Sequence, residues 1–171
     1  MTAEEWSQAW LQEGFATYCE VLWAHETRGE TEAAYERLQL MRRYLEQSYA
    51  RPLVERRYAH PLELFDRHTY EKAALVLHYL RRRVGDDCFF RAVQIFVQSN
   101  EDKCVSSKDL LRAFQEAGGF ALDREFDDWV YSSGHPRIEV LGGYSRGEGA
   151  YRLRVRQRQK RLFSLRLRVE V

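Results

Sequence analysis

Glu13 interrupts an apolar helical pattern near the start of the chain, and its carboxylate is the first group that suggests chemistry. The stretch WLQEGFATY covers residues 10–18 and has apolar side chains at helical spacing. The predicted neighbours of Glu13 on its helix face, at steps of three or four, are Trp6, Trp10, Thr17 and Val21. Burying an ionised carboxylate costs several kcal/mol unless a cation or hydrogen-bond donor meets it. The Glu13 carboxylate would avoid this cost by pairing with a buried arginine, by lying exposed to solvent or by binding a metal ion.

Tyr70 opens the run YEKAALVLHYLR at the start of a predicted helix. By residue type alone it is an ordinary half-buried helix tyrosine, and Glu71 and Lys72 form an ion pair or supply helix-start charges. Histidines are the commonest zinc ligands, but those of this chain do not support a metal-binding role for Glu13. Those present, which form no HExxH pair, are His25, His60, His68, His78 and His135.

Six helices are predicted to position these side chains, from apolar periodicity and capping residues. They cover approximately residues 4–24, 31–49, 69–84, 86–98, 106–118 and 123–130. Asp66 or Thr69 is expected to cap the third helix and Gly85 to end it, whereas Ser106 and Asp109 resemble a capping box. The fourth helix, CFFRAVQIFVQ, is apolar enough that we expect it deep in the core.

After GGYSRGEG, residues 142–149, the hydrophobic period changes from helical to alternating. YRLRVRQRQ and LFSLRLRVEV are predicted to form two half-buried antiparallel strands joined by QKR. Nine basic and two acidic residues lie from Tyr144 onward, whereas residues 1–143 carry 18 basic and 24 acidic residues. We therefore predict two domains, residues 1–141 and 142–171.

Three segments, in order, strongly resemble the M1 family of zinc aminopeptidases, the gluzincins related to aminopeptidase N and leukotriene A4 hydrolase. EEWSQAWLQEGFATY resembles the family's W…WLNEGFA segment. ELFDRHTYEKAALVLHYLR is similar to FD…YEKGA…LH.LR, and LDREFDDWVYSSGHPRIEV to the end of the family's catalytic domain. The resemblance implies a mainly α fold: a helical subdomain of a thermolysin-like catalytic domain, followed by a short antiparallel β-hairpin from the start of a β-sandwich domain.

The resemblance also implies roles for both candidate residues. Glu13 aligns with the glutamate that binds Zn²⁺ together with the two histidines of HExxH, leaving a position for water. Tyr70 aligns with the tyrosine whose phenol stabilises the oxyanion of the reaction. The implied substrate is a peptide, whose N-terminal residue is removed.

Several family features are absent. Only twelve residues precede Glu13, too few for an HExxH helix at the family's spacing, and the GAMEN segment that grips the substrate amine is missing. Gln12 replaces an asparagine, and Ala73 replaces the glycine of YEKG, which would narrow a cleft near the site. The expected protein is therefore a fragment, inactive alone, that needs the N-terminal half of the enzyme as partner. The alternative is a non-catalytic helical interaction module derived from an M1 peptidase.

Composition and charge narrow the remaining functions. At 44% hydrophobic and 31% charged residues the chain is globular, and it has neither a signal peptide nor an apolar run that spans a bilayer. The number of cysteines is odd, which favours the reducing cytoplasm over a disulfide framework. We expect Cys19, Cys88 and Cys104 in the core. The arginines of YRLRVRQRQ are interpreted as a solvated strand face rather than a nucleic-acid site. Without the HExxH helix, an exposed surface of Trp6, Trp10 and Glu13 is expected to cause self-association.

Overall fold

The computed structural model describes residues 1–147 and 149–167, and its described part is mainly α-helical, as predicted. The α-helices are α1 (Trp10–Arg28), α2 (Glu30–Leu45), α3 (Ala73–Val84), α4 (Asp86–Ser99), α5 (Ser107–Gly118) and α6 (Asp123–Trp129). A π-helix, His68–Lys72, leads directly into α3, and two short 3₁₀ helices cover Trp6–Gln8 and Pro61–Leu64. The strands are β1 (Thr2–Ala3), β2 (Cys104–Val105), β3 (Ile138–Ser145) and β4 (Ala150–Gln157).

Local capping residues determine several helix boundaries. The predicted capping box at the start of α5 is present, because Ser106 and Asp109 exchange side-chain and backbone hydrogen bonds. Gly85 ends α3 with a φ of 86°, a conformation that favours glycine, and this confirms the predicted boundary. The second helix, predicted from about residue 31, begins one residue earlier, at Glu30 directly after Gly29.

The first predicted helix is divided, and this changes the surroundings of Glu13. Trp6 lies in a 3₁₀ helix and α1 begins only at Trp10. Trp10 is fully buried, and its indole nitrogen donates a hydrogen bond of 2.9 Å to Ser107 Oγ at the start of α5. Val21 is also buried. Trp10 and Val21 therefore belong to the core rather than to an uncovered face around Glu13.

The core of the first compact unit, Met1–Ser133, lies among α1, α3, α4 and α5. Its largest fully buried side chains include Tyr18, Phe89, Phe96, Phe114 and Phe126. From its apolar composition we expected the fourth helix to lie deep in the core. It is only partly buried, because Phe90 and Val97 of α4 are exposed. One apolar face of α4 packs into the core and the other reaches solvent.

The second unit, Gly134–Val171, contains an antiparallel hairpin whose pairing differs from the prediction. β4 pairs with β3 in a register that places Val140 opposite Val155. Of the predicted partner strand, residues 162–167 form no strand, and residues 168–171 lie outside the described residues. The two consecutive glycines in IEVLGGYS obscured the strand in that segment. The predicted boundary between residues 141 and 142 falls inside β3, whereas the compact units divide before Gly134.

Two expectations about exposure are also wrong. Tyr151 and Leu153, on the predicted buried face of β4, are exposed, because a two-stranded sheet has no second layer among the described residues to cover it. Cys19 and Cys104 are exposed rather than in the core. No helix in the described part of the chain is long and apolar enough to cross a bilayer.

Candidate functional site

A close contact between α1 and the start of α3 brings the two candidate residues together. A methyl group on Gly14 would lie 2.6 Å from Cβ of Ala73, far inside van der Waals contact, so the two helices approach this closely only because residue 14 is glycine. Ala73 is fully buried. It therefore fills a helix contact, and the narrowing of a cleft by Ala73 stays a prediction.

Glu13 precedes this contact in α1 and is half-buried. Thr17, one turn later, donates a hydrogen bond of 2.8 Å from Oγ1 to the backbone carbonyl of Glu13. This hydrogen bond involves the backbone of Glu13 and not its carboxylate, which can therefore interact with other groups. The carboxylate lies close enough to Tyr70 for its charge to act on the phenol.

Tyr70 sits in the middle of the π-helix and is half-buried. Burial first, and then the negative charge of Glu13, raise the pKa of Tyr70 above its ordinary value. Its ring lies 6.4 Å from that of Phe65, which in turn meets Trp6 edge-on at 6.0 Å. Tyr70 therefore lies near both an aromatic cluster and a carboxylate.

The π-helix is anchored at its beginning by Asp66, a residue for which the sequence predicted only a capping role. Asp66 Oδ1 accepts hydrogen bonds from the backbone nitrogens of His68 and Thr69, at 2.9 and 3.3 Å. The same carboxylate meets the guanidinium of Arg51 and the hydroxyl of Tyr49. Burial opposes its ionisation, but hydrogen bonds from His68, Arg51 and Tyr49 outweigh that effect and lower the pKa of Asp66.

The sequence alone did not reveal this cluster, which is largely buried apart from the exposed Tyr49. We call it the Asp66 cluster: Tyr49, Arg51, Asp66, His68, Thr69 and Lys72. Arg51 and Lys72 are each at least nine-tenths buried, which is rare for charged side chains, and His68 is fully buried. The signal available was the aspartate of the FD…YEK segment, only four residues before Tyr70. Its partner Arg51 lies across a loop with two prolines, so spacing could not reveal it.

The described residues do not by themselves form a zinc site. A catalytic zinc ion normally has three protein ligands. Among residues 1–147 and 149–167, no three His, Cys, Asp or Glu side chains are placed to hold a metal ion together. Glu13 supplies one carboxylate, and its charge acts on the phenol of Tyr70.

The fold is that of a helical subdomain followed by a small antiparallel hairpin. Residues 1–129 match the peptidase family M1 domain, and the chain belongs to that family. The resemblance identified from the three segments is thereby confirmed.

Relatives of this chain are aminopeptidases much longer than it is. It is 24% identical over 166 residues to aminopeptidase N of Haemophilus influenzae, which covers 92% of this chain and 18% of that protein. It is 26% identical over 153 residues to aminopeptidase 2 of Candida albicans, covering 82% and 16% respectively. The chain thus spans less than a fifth of either relative.

Solved structures agree with the fold. An M1 zinc metallopeptidase mutant from Deinococcus radiodurans, bound to a Tyr-Ser-Ala substrate, is 33% identical with a TM-score of 0.68, over 79% of this chain and 30% of that one. Aminopeptidase A of Legionella pneumophila, in complex with aspartic acid, gives a TM-score of 0.73 over 91% of this chain and 17% of its own, at 22% identity. The second match supports the fold alone.

Proposed function

We propose that this chain is the helical part of the catalytic domain of a zinc-dependent aminopeptidase, which hydrolyses N-terminal residues from peptides. The observation that carries the proposal is the position of Tyr70 beside Glu13. These two residues lie 57 positions apart, in two separate segments that resemble family motifs. Their proximity is what a shared site requires.

Within this proposal the two residues have different roles. Glu13 is one zinc ligand, and a carboxylate oxygen is a ligand type that zinc accepts. Tyr70 donates a hydrogen bond from its phenol to the oxyanion that develops on the substrate carbonyl, a contact that lowers the barrier. The other zinc ligands, the general base and the amine anchor come from the N-terminal half of the enzyme, the proposed partner.

A segment exchange tests the proposal. The matching part of the Deinococcus radiodurans enzyme is replaced by this chain, and turnover of an aminoacyl-p-nitroanilide and bound zinc are measured. We expect a zinc-containing, active chimera in which Glu13→Gln lowers the zinc content. Glu20→Gln, at an exposed position of the same helix, is the control and should retain the metal. A folded chimera whose zinc content is unchanged by Glu13→Gln would contradict the proposal.

The chain alone is expected to have no aminopeptidase activity, because its described residues provide only one of the required zinc ligands. The assay uses the purified 171-residue chain, the same substrate and added zinc. Turnover that a chelator abolishes would contradict this expectation.

The alternative, a non-catalytic helical interaction module, is favoured by the same lack of a three-ligand cluster among the described residues. The gene sequence immediately upstream discriminates the two functions. An in-frame HExxH at the family's spacing from Glu13 supports the peptidase. A stop codon or unrelated sequence there supports the module.

We also propose a cytoplasmic location, supported by three free cysteines. Self-association stays a prediction, with a smaller surface than the sequence suggested. Trp10 is buried, whereas Trp6 is 54% exposed and Glu13 is half-buried. Size-exclusion chromatography with multi-angle light scattering checks this, and a monodisperse monomer would contradict it.

A further inference from the structure

The segment that carries Tyr70 has an unusual backbone. Residues His68–Lys72 form a π-helix, in which the amide of Lys72 donates to the carbonyl of Arg67, five residues earlier, at 2.9 Å. π-Helical turns are rare and are frequently found at functional sites. The surrounding structure must therefore specify this turn.

Asp66 specifies its beginning. One carboxylate oxygen accepts from the first two amides of the turn, those of His68 and Thr69. The other lies 3.0 Å from Nδ1 of His68 and accepts from the hydroxyl of Tyr49 at 2.5 Å. Because the amide of Arg51 donates to Nε2 of His68, the hydrogen-bond network places the imidazole proton on Nδ1, facing Asp66.

Arg51 holds Asp66 in place and links it to the neighbouring loop. Its guanidinium contacts Asp66 through both Nε and Nη2, at 3.0 and 2.5 Å, the paired geometry that favours arginine over lysine. Nη2 also donates to Thr69 Oγ1 and to the carbonyl of Leu64. At the other end of the turn, the buried ammonium of Lys72 lies 3.5 Å from the carbonyl of Arg51.

Both ends of the π-helix are therefore attached to one buried cluster, and Tyr70 projects from its middle. Resting on the function proposed above, we propose that Asp66 is a positioning residue for Tyr70. Through its hydrogen bonds to the turn and its ion pair with Arg51, Asp66 sets the backbone that directs the phenol towards Glu13. Asp66 does not touch the proposed site itself.

A second buried ion pair of the same unit offers a matched control. Arg83 Nε lies 2.8 Å from Glu125 Oε1, with side-chain exposures of 14% and 9%, compared with 9% and 11% for Arg51 and Asp66. Arg83 is thirteen residues beyond Tyr70 along the chain. Loss of either pair is expected to destabilise the fold, but only loss of the Asp66 pair should move Tyr70.

The test measures the Glu13–Tyr70 interaction in the 171-residue chain. 3-Fluorotyrosine is incorporated, the ¹⁹F signal of Tyr70 is assigned with Tyr70→Phe, and the change in its shift on Glu13→Gln is recorded. We expect Asp66→Asn to reduce this change to less than half and Glu125→Gln to leave it intact. Asp66→Asn preserves one acceptor oxygen for the amides while it removes the charge, and circular dichroism verifies that both variants are folded.

Two results would overturn the proposal: an undiminished shift change in Asp66→Asn, or equal losses in Asp66→Asn and Glu125→Gln, which indicate general loosening. If Asp66→Asn does not fold, Arg51→Lys replaces it, since it keeps the positive charge and removes the paired guanidinium contact that holds Asp66. A reduced shift change in Arg51→Lys then supports the proposal, and an unchanged one overturns it. Because the readout needs no turnover, its failure is distinguishable from an inactive chimera, which bears on the proposed function.

Discussion

The helical unit and the hairpin unit differ in how their charged side chains are held. In the helical unit, Asp66 is nearly buried and accepts hydrogen bonds from side chains and amides of three different segments. In the hairpin unit, Glu139 of β3 meets Arg158 at 3.3 Å, with side-chain exposures of 33% and 60%. The first arrangement is fixed by long-range contacts, and the second by the local pairing of two strands. Only the first is expected to hold a reactive side chain in a defined position.

The same chemical change should therefore have very different effects in the two units. Asp66→Asn leaves Arg51 as an uncompensated buried charge, and we expect the free energy of unfolding to fall by about 3–5 kcal/mol. Glu139→Gln removes a largely exposed pair and should cost less than about 1 kcal/mol. Urea denaturation followed by circular dichroism measures both values. Similar losses for the two variants would refute the distinction.

The helix contact beside Glu13 provides the next largest effect. Gly14→Ala places a methyl group 2.6 Å from Cβ of Ala73, and the resulting overpacking should lower the free energy of unfolding by about 1–3 kcal/mol. Ala73→Gly in the same chain removes the opposing methyl group and should restore part of the loss. A double variant no more stable than Gly14→Ala would mean that the destabilisation does not arise at this contact. The matched substitution Gly143→Ala in β3, where nothing lies within 4 Å, should cost less.

The smallest expected effect on stability comes from Lys72, whose titration makes the stability of the Asp66 cluster depend on pH. Burial first, and then the charge of Arg51, lower the pKa of Lys72 to about 8, from an ordinary value of 10.5. Between these values the unfolded chain binds more protons than the folded one, so stability rises with pH, by at most about 1.4 kcal/mol per pH unit. We expect a rise between pH 8 and 9.5, below the ordinary range of tyrosine ionisation, and its loss in Lys72→Met. A rise of equal size in that variant would assign it to another group.

The sequence predicted those parts of the fold that depend on neighbouring residues. The Ser106 capping box and the end of α3 at Gly85 are local, and both are confirmed. Trp10 was assigned to the wrong surface because its partner, Ser107, lies 97 residues away. The pairing of β4 was wrong for a similar reason, since alternation identifies a strand but not its partner.

The candidate site likewise contains residues that the sequence identifies and residues that only three-dimensional contacts reveal. Motif resemblance identified Glu13 and Tyr70, and the roles assigned to them stay predictions. The residues that hold the turn of Tyr70 could not be identified from spacing, because Arg51 and Asp66 meet across a loop that interrupts every periodic pattern. Buried polar clusters of this kind are specified by three-dimensional contacts, and the sequence shows only their separate members.

The proposed role of Tyr70 is to act on the substrate of an M1 peptidase, and one measurement tests this role. It compares kcat and bound zinc for the active chimera with those of its Tyr70→Phe variant, with Tyr35→Phe at an exposed position as control. We predict that Tyr70→Phe lowers kcat about 100- to 1,000-fold while the zinc content stays the same, because one oxyanion donor is lost. A Tyr70→Phe variant as active as Tyr35→Phe would contradict the claim.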